Sequence, residues 1–188
     1  MKSNTRISVK TPLPRIKELY ERHIGLYEPL CRAYADAACV CLSRYHMSPA
    51  DLTIQNRTEI CMREISWEIP NEQMSKSWAN VDDATRDGAY CVSLAVIEAE
   101  FGFVALARAE RKTGADYYVG LPGASDLEKA FRLEVSGTDK GDRPVIQSRL
   151  KEKLDQLRKG NSNRPGIALV VGFLKKCAML ETLSDENA

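Results

Sequence analysis

A chain of 188 residues, 44% hydrophobic and 28% charged, has ordinary globular composition and is long enough to bury one core. With 27 Lys+Arg against 26 Asp+Glu the formal net charge is +1, so the bulk balance does not point to nucleic acid and any basic face has to be local. No run of about 18 apolar residues exists to span a membrane, the start MKSNTRISVKTPLP lacks a signal-peptide core, and the six cysteines include no CxxC, the usage of a cytoplasmic protein with reduced thiols.

Residues 1–11 read as a flexible arm. From Pro14 to Met47 apolar residues recur at helical spacing, and Pro29 divides the run into two helices because an interior proline removes a hydrogen bond and clashes with the preceding turn. The second helix, RAYADAACVCLSRY, is rich in small residues, which permits close packing here or against another subunit. Cys39, Cys41 and His46 do not make up a four-ligand zinc pattern, so buried thiols are expected. ADLTIQ reads as a short strand, TEICMREISWEIP as a strand or an irregular helix, and residues 71–82 as a polar loop.

The clearest helix covers residues 82–101. Asn80 or Asp82 can cap it, and Tyr90, Leu94, Ile97 and Phe101 form one stripe with Glu98 at its edge. Gly102 stops it. Strands follow over FVALARA (103–109), ADYYVG (115–120) and AFRLEVSG (130–137), the last with period-2 alternation of Phe131, Leu133 and Val135 against Arg132, Glu134 and Ser136. Pro144 opens an amphipathic helix ending at Gly160, with Ile146, Leu150, Leu154 and Leu157 inward. GIALVVGFL (166–174) then reads as a strand buried on both faces. A helix between the third and fourth strands calls for a crossover with parallel pairing. The expectation is an α/β fold whose core is αβββαβ, a mixed sheet flanked by helices. A mainly helical extension (1–80) packs on the core (81–183), and a disordered tail (184–188) follows.

Asp116 opens the second of these strands and Glu134 lies on the third. A hairpin-like connection can bring the two carboxylates together, where they repel unless they share a cation. A hard divalent ion such as Mg²⁺ or Mn²⁺ suits oxygen ligands of this kind. There is no GxSxG elbow, P-loop or GxGxxG, so a nucleophilic triad or nucleotide-driven chemistry has no support. Tyr117 and Tyr118 read as packed strand residues rather than base-stacking ones. Arg108, Arg111 and Lys112 before Asp116, and Arg149, Lys151, Lys153, Arg158 and Lys159 on the last helix, would hold phosphates if they shared a face.

This order of elements, with Gly114-Ala115-Asp116 before one strand and Glu134-Val135-Ser136 on the next, resembles the PD-(D/E)XK nuclease superfamily over residues 82–175. The resemblance implies a restriction-endonuclease-like core and hydrolysis of a phosphodiester in DNA. It implies a Mg²⁺ or Mn²⁺ held by Asp116, Glu134 and the Val135 carbonyl, with Glu98 as the helix acid. The chain departs from the pattern where Ser136 takes the place of the motif lysine and Ala115 that of a common proline. In some members that lysine comes from the following helix. Lys153, in the middle of the inward stripe, is the candidate here, with Gln156 beside it and Lys140 a weaker substitute. An aliphatic stem packed on the core with its amine in water is the plainer reading of Lys153. The competing expectation is a nuclease-like subunit without turnover, which binds a protein partner or forms a homo-oligomer. A bacterial defence or DNA-processing complex is the setting suggested by analogy of fold.

Overall fold

The computed structural model describes residues 8–9, 11–124 and 126–183. The expected tail and most of the expected N-terminal arm lie outside them. Eight strands form one mixed sheet: β1 (Ser8–Val9), β2 (Ala50–Asn56), β3 (Glu59–Ile65), β4 (Val104–Arg108), β5 (Tyr117–Gly120), β6 (Phe131–Thr138), β7 (Gly166–Gly172) and β8 (Cys177–Leu183). Their order across the sheet is β1-β3-β2-β8-β7-β6-β5-β4. Among the described residues, α1 (Glu28–Ser43), α3 (Val81–Phe101) and α4 (Arg143–Lys159) flank the sheet, and the short α2 (Glu72–Ser77) packs on α1.

From α3 onward the elements follow the expected order. β4–β5 and β5–β6 pair antiparallel, and β6–β7 pair parallel with α4 as the crossover. Asn80 caps α3, accepting from the amides of Asp82 and Asp83, and Gly102 ends it with φ 67, a left-handed conformation that a Cβ disfavours. In β7, Ile167, Leu169 and Val171 join the core under α3, whereas Val170 and Ala168 pack against Ile146, Leu154 and Leu157 of α4. A strand covered on both faces accounts for the unbroken apolar run.

Residues before 81 contribute strands as well as helices, and two local expectations are corrected. β2 and β3 form a hairpin that continues the sheet, β2 running parallel to β8 from Thr53↔Cys177 to Asn56↔Leu180. One apolar core includes Leu19, Leu42, Leu52 and Ile65 together with Leu94, Leu133 and Leu169, so the N-terminal region packs directly on the rest of the core. Within 71–82, Asn71 accepts from the Met74 amide and starts the short helix α2. β8 gave no periodic signal, because it pairs with β7 and β2 and is buried along most of its length. Pro29 does not break a helix; it sits in the first turn of α1, where no amide hydrogen bond is lost.

The small residues of α1 are used inside the molecule. α1 lies on α3, and a Cβ at Gly88 would meet the Ala38 backbone at 3.0 Å. α3 is therefore buried around most of its circumference, between α1 and the sheet, and its expected stripe widens to a run from Gly88 to Ile97. All six cysteines are buried thiols. His46 hydrogen-bonds the Phe173 carbonyl at 2.8 Å and forms no cluster with Cys39 and Cys41. Among the described residues no helix is long and apolar enough to cross a membrane.

Candidate active site

Strand β6 outruns its antiparallel neighbour. Pairing with β5 ends at Tyr117↔Leu133, while pairing with β7 continues to Thr138↔Gly172. Beyond Leu133, the edge of β6 that faced β5 is open. Asp116, just before β5, occupies this gap: its amide donates to the Leu133 carbonyl at 2.8 Å, and its Oδ2 accepts from the Val135 amide at 2.9 Å. The N–H and C=O of one strand residue project from the same edge. The Val135 carbonyl therefore faces the same gap as its amide.

Alternation sets the rest. Leu133 and Val135 face the core under α3. Arg132, Glu134 and Ser136 face α4, where each meets a partner. Arg132 donates to the Leu157 and Thr113 carbonyls. Ser136 lies 3.4 Å from Arg149 Nη1. Glu134 Oε1 accepts from Lys153 Nζ at 2.7 Å. The same ammonium donates to Gln156 Oε1 at 2.8 Å. Lys153 does not direct its amine into water. With 21% of its side chain exposed, it reaches the strand one layer below, and Gln156, one turn along, holds it there.

Asp116 and Glu134 are thus brought together, and their proximity is visible in the electrostatics. Burial pushes the Glu134 carboxyl up to about 7, the Asp116 charge pushes in the same direction, and the Lys153 ammonium opposes both. On the other side of Asp116, Tyr90 of α3 donates its hydroxyl to Oδ1 at 2.7 Å. Burial and the Asp116 charge raise the Tyr90 pKa well above that of free tyrosine, so it remains a donor. Arg108 lies 3.8 Å from Asp116 Oδ1, its guanidinium 4.6 Å from the ring centroids of both Tyr90 and Tyr117. Tyr90 reads in sequence as one more member of the α3 stripe. Only its place in the first half of α3, opposite the start of β5, separates it from the others.

Glu98 is not part of this arrangement. It lies two turns beyond Tyr90 and is bound by Arg22 at 2.6 Å and His23 at 3.0 Å, which hold its pKa below the ordinary value against the cost of its own burial. His23 is fully buried, and its Nδ1 accepts from the Ala105 amide at 2.9 Å. The cluster fastens the segment before α1 to β4. Glu100, the other acid at this end, pairs with Arg63. Tyr117 is buried and Tyr118 nearly so, as packed strand residues should be. Among the described residues no group of three or more His, Cys, Asp or Glu is placed to hold a metal ion. The donor set is two carboxylates with one main-chain carbonyl facing the gap between them. These are hard oxygen donors of the type that Mg²⁺ accepts while keeping several waters. The Lys153 ammonium on Glu134 is the cation the site already holds.

Asp116 lines two clefts and Glu134 one of them. One, of about 810 Å³, is lined by Asp116, Ser136, Arg86, Lys140, Arg149 and Lys153 among others. The second, of about 460 Å³, is lined by Asp116, Glu134, Gln156, Arg111, Lys112 and Lys159 among others.

A pH effect on stability follows. Between its ordinary value of 4.5 and about 7, the Glu134 carboxyl holds its proton more tightly when folded than when unfolded. Its contribution is therefore fully present below pH 4.5 and lost as pH rises through about 7. Urea denaturation in chelator at either end of that window should show wild type losing more stability at the alkaline end than Glu134→Gln; equal losses would contradict the assignment. No protein-family model, no curated protein and no solved structure matches this chain.

Proposed function

We propose that this protein is a metal-dependent phosphodiesterase of the PD-(D/E)XK type that acts on DNA, with the strand lysine of that pattern moved to α4 as Lys153. The observation that carries the reading is the 2.7 Å approach of Lys153 Nζ to Glu134 Oε1, beside Asp116. A lysine that serves only packing would leave its amine in solvent. The αβββαβ order, with β6 and β7 parallel across α4, supports a restriction-endonuclease-like core.

Asp116, Glu134 and the Val135 carbonyl would hold the cation, which when bound would polarise a phosphate oxygen and lower the pKa of an attacking water. Tyr90 and the Val135 amide orient Asp116 by engaging one oxygen each, so the carboxylate stays in place when Glu134 is protonated. Lys153 supplies a fixed positive charge next to the reacting phosphate and offsets the charge that develops there. Gln156 is a positioning residue that restricts the ammonium through its side-chain oxygen. Arg108, stacked on Tyr90 and Tyr117, presents a second fixed cation on the far side of Asp116. Ser136 carries no charge, and its hydroxyl accepts only a long contact from Arg149.

The test is a calorimetric titration of Mn²⁺ and Mg²⁺ into wild type and Glu134→Gln, followed by DNA cleavage assays. Wild type should bind, more tightly as pH rises through about 7, and should cleave; Glu134→Gln should do neither. Cleavage retained in Glu134→Gln would rule the reading out. A nuclease-like subunit without turnover is favoured by one observation, that the candidate helix acid Glu98 is engaged by Arg22 and His23. In that case a divalent ion would leave the thermal midpoint of wild type unchanged, since only a ligand of the folded state raises it.

A further inference from the structure

Two clefts meet at Asp116. Asp116 belongs to both clefts, Lys153 lines the larger and Glu134 the smaller. A cleft that stopped at the pair would admit a strand end or a small diester, whereas two clefts that share Asp116 leave room for a chain on both sides of it.

Arg108 also lines the smaller cleft, 3.8 Å from Asp116, and among the described residues the other cations there are not paired. Arg111, Lys112 and Lys159 line it, and among the described residues none of the three makes an ion pair. Arg158, on the same helix, is paired with Asp155. Apart from Asp116 and Glu134, the acid lining this cleft is Glu110, whose carboxylate accepts from the Tyr118 hydroxyl at 2.8 Å.

These cations stand on a braced platform. The Lys112 carbonyl accepts from the Asn161 amide at 2.9 Å. Arg132 bonds the Thr113 and Leu157 carbonyls, joining the 112–114 turn to the last turn of α4. The two segments approach so closely that a Cβ at Gly114 would overlap the Gln156 carbonyl, and one at Gly160 the Thr113 carbonyl. Lys112 itself has φ 73, a conformation that glycine adopts at lower cost. Lys112 lines the cleft from this turn.

We propose that the substrate is an internal stretch of a DNA strand running through both clefts, with the phosphates on one side of the scissile position held by Arg111, Lys112 and Lys159. The proposal rests on the phosphodiesterase reading above for the chemistry but not for the binding.

The experiment is fluorescence anisotropy of labelled single-stranded and duplex DNA in Ca²⁺ across a salt series. It compares wild type, an Arg111→Ala/Lys112→Ala/Lys159→Ala triple variant, and a control triple, Lys129→Ala/Lys151→Ala/Lys175→Ala, that removes the same charge outside both clefts. Thermal melting verifies that each variant is folded. Wild type should bind, and the cleft triple should bind at least about tenfold more weakly. Its log–log salt slope for single strands should be shallower by about 2, since each lost phosphate contact removes about 0.7. The control triple should stay near wild type. Equal effects from the two triples, or no binding by wild type, would overturn the strand path. A closed circular single strand, which has no end, should be cut; a requirement for an end would overturn the internal placement. Binding that depends on Arg111, Lys112 and Lys159 without cleavage of any substrate would support the strand path and refute the phosphodiesterase reading.

Discussion

Asp116→Asn is expected to lower metal-dependent cleavage by about a thousand-fold or more, the largest effect of any single substitution here. The amide is close in shape to the carboxylate and can still accept one hydrogen bond, from Val135 or from Tyr90. It cannot supply the charge that draws a hard cation between the strands. It also removes the repulsion that raises Glu134, so the Glu134 pKa should fall toward the ordinary value and the alkaline loss of stability should shrink. Asp116→Asn is thus predicted to inactivate at a cost in stability of about 1–3 kcal/mol, for the one donor left without its acceptor, a cost that shrinks toward pH 8 as the repulsion on Glu134 is relieved. Calorimetric metal titration, cleavage assays and urea denaturation on the same preparation distinguish these effects. Cleavage near the wild-type rate with a normal melting curve would remove Asp116 from the chemistry. Asp116→Ala would be a poorer test, because leaving the Tyr90 hydroxyl and the Val135 amide unsatisfied costs about 1–3 kcal/mol each.

Lys153→Ala is the second large effect, and here the rescue is more informative than the loss. Removing the ammonium should lower cleavage by about a hundred-fold to a thousand-fold. It should also raise the Glu134 pKa further, because Lys153 is the group that opposes burial and Asp116 there. Metal binding should persist but require higher pH. Ser136 faces α4 from the same strand face as Glu134, with Arg149 3.4 Å from its hydroxyl. A lysine at this position would place its ammonium beside the pair from the strand instead of the helix. The double variant Ser136→Lys/Lys153→Ala should therefore recover much of the lost activity, whereas Ser136→Lys alone should add little. If Lys153 acts only by packing and pairing, Ser136→Lys would not restore cleavage, although Lys153→Met, which preserves the apolar stem, would restore stability.

The legible parts of this fold are those in which a local period decides the structure. The α3 helix, the alternation of β6, the amphipathic α4 and the doubly buried β7 each carry their pattern within the element itself, and the order of these elements follows directly. β8 and the α2 turn were not legible. A strand buried between two others has no alternation to display, and a six-residue helix has too few turns for a period. The hairpin β2–β3 could be read as strand, but nothing local to residues 50–65 shows that its partner is β8, over a hundred residues away.

The site divides along the same line. The residues by themselves indicated that Asp116 and Glu134 belong to successive strand segments and that Lys153 interrupts an apolar stripe, because spacing and alternation are properties of the chain alone. Tertiary structure decided which of these residues meet. It left Lys153 the Glu134 carboxylate as its partner by stacking α4 on the polar face of β6. It turned a core tyrosine, Tyr90, into a donor to Asp116 by starting β5 one residue after that carboxylate. It withdrew Glu98 by carrying Arg22 and His23 across to α3. Each of these outcomes depends on which surfaces pack together, and the free energy of packing is summed over the whole core, beyond the reach of any window of sequence.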